Sequence, residues 1–246
     1  MENCCIITGA DRGIGRACAL SLAKEGYNLL CTYREREKEA LSLKSEINSL
    51  GLGKCEIFKC DISVKDDISR LVSKAEYEFG GVSGLVNNAG ISLIKLFTET
   101  TQEDNQRILD VDYTGMFELT RRVAKIMINQ GFGSIVNISS MWGLHGGSCE
   151  SAYSGAKAAV IGLTKALSKE LGPSGIRVNC VCPGVIRTDM NASLGEDALE
   201  ELKEKTPLRR LGLAEDVGNL VSFLISDKSS FVTGQIISVD GGIGSV

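Results

Sequence analysis

Tyr153 and Lys157 stand four residues apart in Ser151-Ala-Tyr153-Ser-Gly-Ala-Lys157, and the segment runs on through Ala158, Ile161, Leu163 and Leu167 at helical spacing. Residues four apart share one face of a helix, so the phenol and the ammonium are expected side by side. A tyrosine alone titrates at about 10 and is a poor acid or base at neutral pH. A lysine cation beside it favours the phenolate and draws the phenol towards the range that general acid–base catalysis needs. Upstream, Gly133-Ser-Ile-Val-Asn-Ile-Ser139 reads as a buried strand that ends at Ser140, a hydroxyl suited to holding a substrate oxygen. Pairs at this spacing abound in ordinary amphipathic helices. Tyr153, Lys157 and Ser140 therefore become a proton-transfer site only if the rest of the chain supplies a redox partner.

That partner is suggested by Thr8-Gly9-Ala10-Asp11-Arg12-Gly13-Ile14-Gly15, which follows an apolar strand-like run and precedes a helix carrying Ala17, Leu20, Leu22 and Ala23. Glycines at a strand-to-helix turn let the backbone approach a pyrophosphate, and the helix N-terminus faces its negative charge. The spacing is GxxxGxG rather than GxGxxG, but it meets the same physical need. After the second strand-like run, Leu29-Leu30-Cys31-Thr32-Tyr33-Arg34, there is no acidic residue to hold a free ribose 2′-hydroxyl. Arg34, with Arg12 in the first turn, offers guanidinium groups to a 2′-phosphate, so NADP is expected over NAD. Arg34 also opens the run Arg34-Glu35-Arg36-Glu37-Lys38, which equally suits a solvated face.

Composition narrows the classes. The 246 residues are 43% hydrophobic and 24% charged with only 3 prolines, as in a soluble globular domain. A formal net charge of −4 gives no general attraction for nucleic acid. No basic leader and no run of about 18 apolar residues is present, so a cytoplasmic protein without a membrane partner is expected. Cys4, Cys5, Cys31, Cys180 and Cys182 lie in apolar runs, where a thiol acts as a small hydrophobe. His145 is the only histidine and there is no CxxC pair, so neither a zinc site nor a histidine-based triad has enough members.

The elements that must position these groups alternate along the chain. Apolar strand-like runs fall near 3–8, 28–33, 55–60, 83–87, 134–139, 176–181 and 235–239. Between them lie helical segments such as Asp66 to Phe79, with Ile68, Leu71, Val72, Ala75 and Phe79 on one face. Continuously apolar strands alternating with helices predict an α/β fold: a Rossmann-type, doubly wound parallel sheet of seven strands with helices on both faces, in a single domain over residues 1–246. The polar helical insertion at 191–205 is long for a connection in such a fold and is expected to form a lid over the substrate.

Along nearly its whole length the chain resembles the short-chain dehydrogenase/reductase family. The resemblance implies nucleotide contacts from the glycine turn, Asp61 with Ile62 after the third strand, and Asn88-Ala89-Gly90 after the fourth. It also implies a nicotinamide-holding segment with Pro183, Gly184, Ile186 and Thr188, and a catalytic Ser140, Tyr153 and Lys157. Leu211-Gly-Leu-Ala-Glu-Asp, Val232-Thr-Gly-Gln and Val239-Asp-Gly-Gly are most similar to the 3-oxoacyl-[acyl-carrier-protein] reductase branch, which implies a homotetramer, NADPH, an acyl thioester substrate and a place in fatty acid biosynthesis.

Three positions depart from the pattern. Asp112 stands where many members carry a catalytic asparagine; it is nearly isosteric but brings a negative charge, which should raise the pKa values of Lys157 and Tyr153. Gly131 and Ser174 stand where that branch commonly carries basic residues facing the acidic carrier protein, which weakens electrostatic steering. Other readings stay open: an NADP-dependent dehydrogenase of a hydroxysteroid, sugar or other secondary alcohol, and a nucleotide-sensing protein without turnover.

Overall fold

The computed structural model describes residues 4–188 and 195–245. Strand β1 (Cys4–Ile7) leads into helix α1 (Gly13–Lys24), β2 (Asn28–Tyr33), α2 (Glu37–Ser49), β3 (Cys55–Lys59) and α3 (Lys65–Phe79). The chain continues through β4 (Gly84–Asn87), α4 (Gln102–Leu109), a π-helical turn over Asp110–Thr114, α5 (Gly115–Gln130), β5 (Gly133–Ile138) and the short α6 (Met141–His145). The long α7 (Ser151–Leu171), β6 (Ile176–Pro183), α8 (Glu196–Lys205), α9 (Ala214–Ile225) and β7 (Ile236–Val239) complete it. All seven expected strands are present, and β6 runs two residues beyond the apolar run that announced it.

The strands form one sheet in the order β3-β2-β1-β4-β5-β6-β7, and every pairing is parallel. Successive side chains of a strand point to opposite faces. Ile6 and Leu85 accordingly pack with Leu71, Ala75, Leu119 and Val123 of α3 and α5. Ile7 and Val86 pack on the other face with Ala19, Leu22, Val217 and Val221 of α1 and α9. Burial on both faces is why these strands read as unbroken apolar runs rather than as alternating ones. The cysteines of β1, β2 and β6 are buried and form no disulfide among the described residues, as small apolar side chains would.

The chain leaves β1 towards β2 and β3 on one side, then returns to add β4 on the other. That reversal opens a crevice beyond the C-terminal ends of β1 and β4, where ligands of open parallel sheets bind. Of the insertion over 191–205, α8 is described; residues 191–194 lie outside the described residues.

One strand in from the β7 edge, Arg177 of β6 closes the end of α9. Its guanidinium donates to the carbonyls of Leu224 at 2.7 Å, Ile225 at 3.2 Å and Ser226 at 3.1 Å, and to the Ser229 hydroxyl at 2.8 Å. These are terminal carbonyls that a helix cannot satisfy itself, and a cation there also complements the helix dipole. Arg177→Ala leaves them without that donor, and we expect a loss of roughly 2 kcal/mol in chemical denaturation.

Candidate active site

The site grows from the β1–α1 turn. Gly9 and Gly13 have φ of 62° and 52°, the left-handed region that other residues rarely adopt. Gly15 has a different reason: a Cβ there would lie 2.1 Å from the Gly9 carbonyl oxygen. Helix α1 then starts with no side-chain cap and no acidic residue in its first turn, so its N-terminus faces the crevice uncompensated.

Neighbouring strands brace this turn. The Thr8 hydroxyl accepts the backbone N–H groups of Asn88 at 2.9 Å and Ala89 at 3.0 Å. The Asn88 amide donates to the carbonyls of Thr8 and Gly9 at 2.9 and 3.0 Å. Thr32 of β2 accepts the Gly9 N–H at 3.2 Å. Nothing in the sequence marks Thr8 for this role except its position just before the first glycine.

A groove of about 220 Å³ follows from this turn over the ends of β2, β3 and β4. It brings together Gly9, Asp11, Arg12, Gly13 and Ile14 with Arg34, Asp61 and Ile62, and at its other end Asn88, Ala89, Gly90 and Thr188. Gly15 lies behind the turn and is buried. Pro183, Gly184 and Ile186 stand outside the groove wall: Gly184 packs on Asp240, where a Cβ would come within 2.7 Å, and Ile186 is buried beside Gly212. Thr188 closes on the first turn, its methyl 3.3 Å from where a Gly13 Cβ would be. Arg34 pairs with Glu35 at 2.7 Å, a solvent-exposed contact that holds it weakly. A narrow glycine-lined cleft, a bare helix N-terminus and a guanidinium at the far end suit a phosphorylated dinucleotide in charge and shape.

Beyond the groove, Lys157 and Tyr153 are nearly buried, at 4% and 8% exposure. The Lys157 Nζ is 5.5 Å from the centre of the Tyr153 ring and donates to the Ile138 carbonyl at 3.2 Å. Ser139 fixes the same helix from β5, donating from its hydroxyl to the Lys157 carbonyl at 2.8 Å. Ser140 caps α6 by accepting the Trp142 N–H at 3.1 Å, which fixes its hydroxyl next to the phenol.

Asp112 completes the cluster from the π-helical turn. Its Oδ2 accepts the Ile91 N–H at 3.0 Å. Its Oδ1 lies 2.9 Å from Lys157 Nζ, off the hydrogen-bonding direction, so this contact is an ion pair rather than a good hydrogen bond. Gly90 makes the approach possible, because a Cβ there would be 2.6 Å from Oδ1 and 3.2 Å from Nζ. Gly115 lets the following helix start against the Ile62 carbonyl, where a Cβ would come within 2.1 Å.

Electrostatically, burial would lower the ammonium pKa of Lys157, but Asp112 and Tyr153 outweigh it and the net shift is upward. Tyr153 also moves upward. Burial is the largest cause, the Asp112 charge adds to it, and Lys157 and Ser140 oppose it without prevailing. Helix spacing predicts a lysine that brings the phenol down, and Lys157 does act in that direction, but desolvation of a phenolate at this depth is the stronger effect. The phenol is therefore protonated at neutral pH, ready to donate.

A cleft for a dinucleotide beside a buried Ser-Tyr-Lys cluster defines the class: a nicotinamide-dependent α/β oxidoreductase. A family profile described as Enoyl-(Acyl carrier protein) reductase matches residues 9–244, and the chain belongs to this family of short-chain dehydrogenases/reductases. It is 41% identical over 240 residues to the 3-oxoacyl-[acyl-carrier-protein] reductase FabG of Thermotoga maritima, covering 97% of this chain and 96% of that one. The enzyme of the same name from Staphylococcus epidermidis is 37% identical over 243 residues, covering 99% of both. Among solved structures, a 7α-hydroxysteroid dehydrogenase complexed with NADH and 7-oxo glycochenodeoxycholic acid matches with a TM-score of 0.93 and 34% identity, over 98% of this chain and 93% of that one.

Gly15→Ala should break the turn without touching the Ser-Tyr-Lys cluster. We expect cofactor affinity, read by quenching of protein fluorescence on titration with NADPH, to fall by about tenfold or more, that is, at least ~1.4 kcal/mol.

Proposed function

We propose that this chain is an NADPH-dependent ketone reductase, with a 3-oxoacyl thioester as the substrate class that its relatives' names favour. The observation that carries the reading is Tyr153 buried beside the Lys157 ammonium, which lies against Gly90 at one end of the dinucleotide-sized groove. Held along Gly9, Gly13, Arg34 and Asn88, NADPH would supply a hydride for the carbonyl carbon. Ser140 holds the carbonyl oxygen, and Tyr153 donates its phenolic proton to that oxygen as the C–H bond forms. Lys157 stabilises the phenolate left behind, so that solvent can restore the proton. Asp112 holds Lys157 in place and keeps its charge partly compensated until the phenolate appears. Pro183, Gly184, Ile186 and Thr188 form the segment assigned to the nicotinamide, and α8 the described part of the substrate lid.

Arg34 supports NADPH, since its exposed pair with Glu35 is easily exchanged for a 2′-phosphate. The same reading includes a homotetramer, supported by exposed Phe117 and Ile128 on α5, and a cytoplasmic location. No helix among the described residues is long and apolar enough to cross a membrane. A specific observation also favours a second substrate class: the hydroxysteroid dehydrogenase matches with nearly full coverage and was solved with NADH.

Oxidation of NADPH and of NADH with acetoacetyl-CoA tests the proposal. Turnover with NADPH supports it, and cofactor binding with no reduction of any ketone overturns it. Arg34→Ala should raise the KM for NADPH by roughly tenfold while leaving the KM for NADH in place, the loss of one charge-assisted contact.

Asp112→Asn tests the proton balance. Asp112 raises the Tyr153 pKa, so its neutral replacement lowers it. Reduction needs the phenol protonated, so the alkaline limb of the pH–kcat profile should move to lower pH. In the oxidative direction, which needs the phenolate, activity should set in at lower pH. Coincident profiles would show that Asp112 has no influence on the proton.

A further inference from the structure

Behind the Asp112–Lys157 pair lies a small buried cluster that the mechanism does not use. Cys180 and Cys182 are two residues apart on β6, so both thiols point to the same face of the sheet. Their Sγ atoms are 4.0 Å apart, and both residues are fully buried. They pack with Met116, Val160 and Ile161 in a cluster separate from the two main cores. Val160 and Ile161 stand one helical turn beyond Lys157 on α7, and Met116 follows Asp112 at the start of α5. The Lys157 ammonium donates to Ile138, which pairs with Val181 between the two cysteines. Three sulfurs, two of them neighbouring thiols, thus share one apolar compartment next to a buried cation.

The sulfur spacing decides how such thiols can be used. A disulfide needs sulfurs about 2.05 Å apart and Cα atoms no more than about 6.8 Å apart. Alternate residues of an extended strand already stand about 6.6 Å apart, at the edge of that range. Closing the bond would strain β6 where it pairs with both β5 and β7. A thiolate–metal bond is about 2.3 Å long, so one ion bonded to both sulfurs at the observed spacing subtends roughly 120°. That is the angle of a planar three-coordinate site, and Met116 brings a third sulfur to the same cluster. Zinc takes four ligands at tetrahedral angles. Among the described residues no third histidine, cysteine, aspartate or glutamate joins the pair. Two thiolates and a thioether in an apolar shell instead select a soft ion of low coordination number, Cu(I). A second thiol pair, Cys31 and Cys55 at 3.9 Å, has no methionine in its cluster.

We propose that Cys180, Cys182 and Met116 form a Cu(I)-binding site. Binding exchanges two thiol protons for one Cu(I): both S–H bonds break, two S–Cu bonds form, and the protons leave to solvent. Copper keeps its oxidation state, so no oxidant or reductant is consumed. The site gains one negative charge, and a buried charge needs a partner. Lys157, held at the Ile138 carbonyl one strand away, is that partner. The site does not depend on the reductase reading.

The experiment titrates Cu(I) into the full chain without oxygen, with ascorbate present, in competition with the chromogenic chelator bathocuproine disulfonate. We expect the natural chain to retain one Cu(I), and X-ray absorption at the copper edge to show three sulfur neighbours. Cys180→Ala and Cys182→Ala should each abolish retention. Met116→Leu, which nearly conserves volume, should weaken it by about tenfold or more and leave two sulfur neighbours. Cys55→Ala, in the second thiol pair, should leave it unchanged. Circular dichroism of each variant separates loss of the site from loss of the fold. Because the first measurement uses the natural chain, the inference can fail without any variant: no retained copper, or copper bound through nitrogen and oxygen donors, overturns it. Retention that survives in a folded Cys182→Ala chain, an affinity unchanged by Met116→Leu, or retention lost in Cys55→Ala while Cys182→Ala keeps it, overturns it equally.

Discussion

The rest of the site depends on one buried charge. Lys157 is 4% exposed, and an ammonium at that depth requires partners because its hydration is gone. Three parts of the chain supply them: the Ile138 carbonyl at the end of β5, the Asp112 carboxylate from the π-helical turn, and the phenol one helical turn away. Gly90 is glycine because a side chain would fall between Asp112 and Lys157. The π turn itself makes sense on the same ground. Such turns recur at functional sites, and this one delivers a buried carboxylate to the lysine of α7, the helix packed against it.

The sheet makes this convergence possible. Parallel strands covered on both faces leave only their ends free for chemistry, and β1, β4, β5 and β6 all end on the same side. Ser139 and Ser140 follow directly from β5, while Asn88, Ala89 and Gly90 follow from β4, so register alone brings them near α7. A second polar chain stiffens the arrangement from within. Asn87 donates to Asn137 and to Thr120, and Asn137 donates to Thr164 of α7, all at 2.8 to 2.9 Å. Buried polar groups joined in this way fix the relative positions of β4, β5, α5 and α7.

The preference for a protonated phenol is a balance of opposing effects of similar kind. Desolvation and Asp112 act against Lys157 and Ser140, and the first two prevail. An asparagine at 112 would remove one contribution on the winning side, which is why this single departure from the family pattern bears on the direction of proton transfer.

The strand–helix alternation, the glycine turn and the Tyr-Lys spacing were legible in the amino-acid sequence, because each is a local signal set by periodicity or by backbone need. Asp112 was legible as a departure from a pattern, and Arg34 as a cation at a strand end. The sign of the Tyr153 shift was not, since burial is a property of everything packed around the ring, and spacing on one helix reports only its nearest charge. Thr8 and Ser139, which join elements far apart in the chain, were passed over for the same reason. Periodicity and turn chemistry determined the fold and the reactive residue types; only tertiary packing decided which charges are desolvated, and with it the protonation state of the phenol.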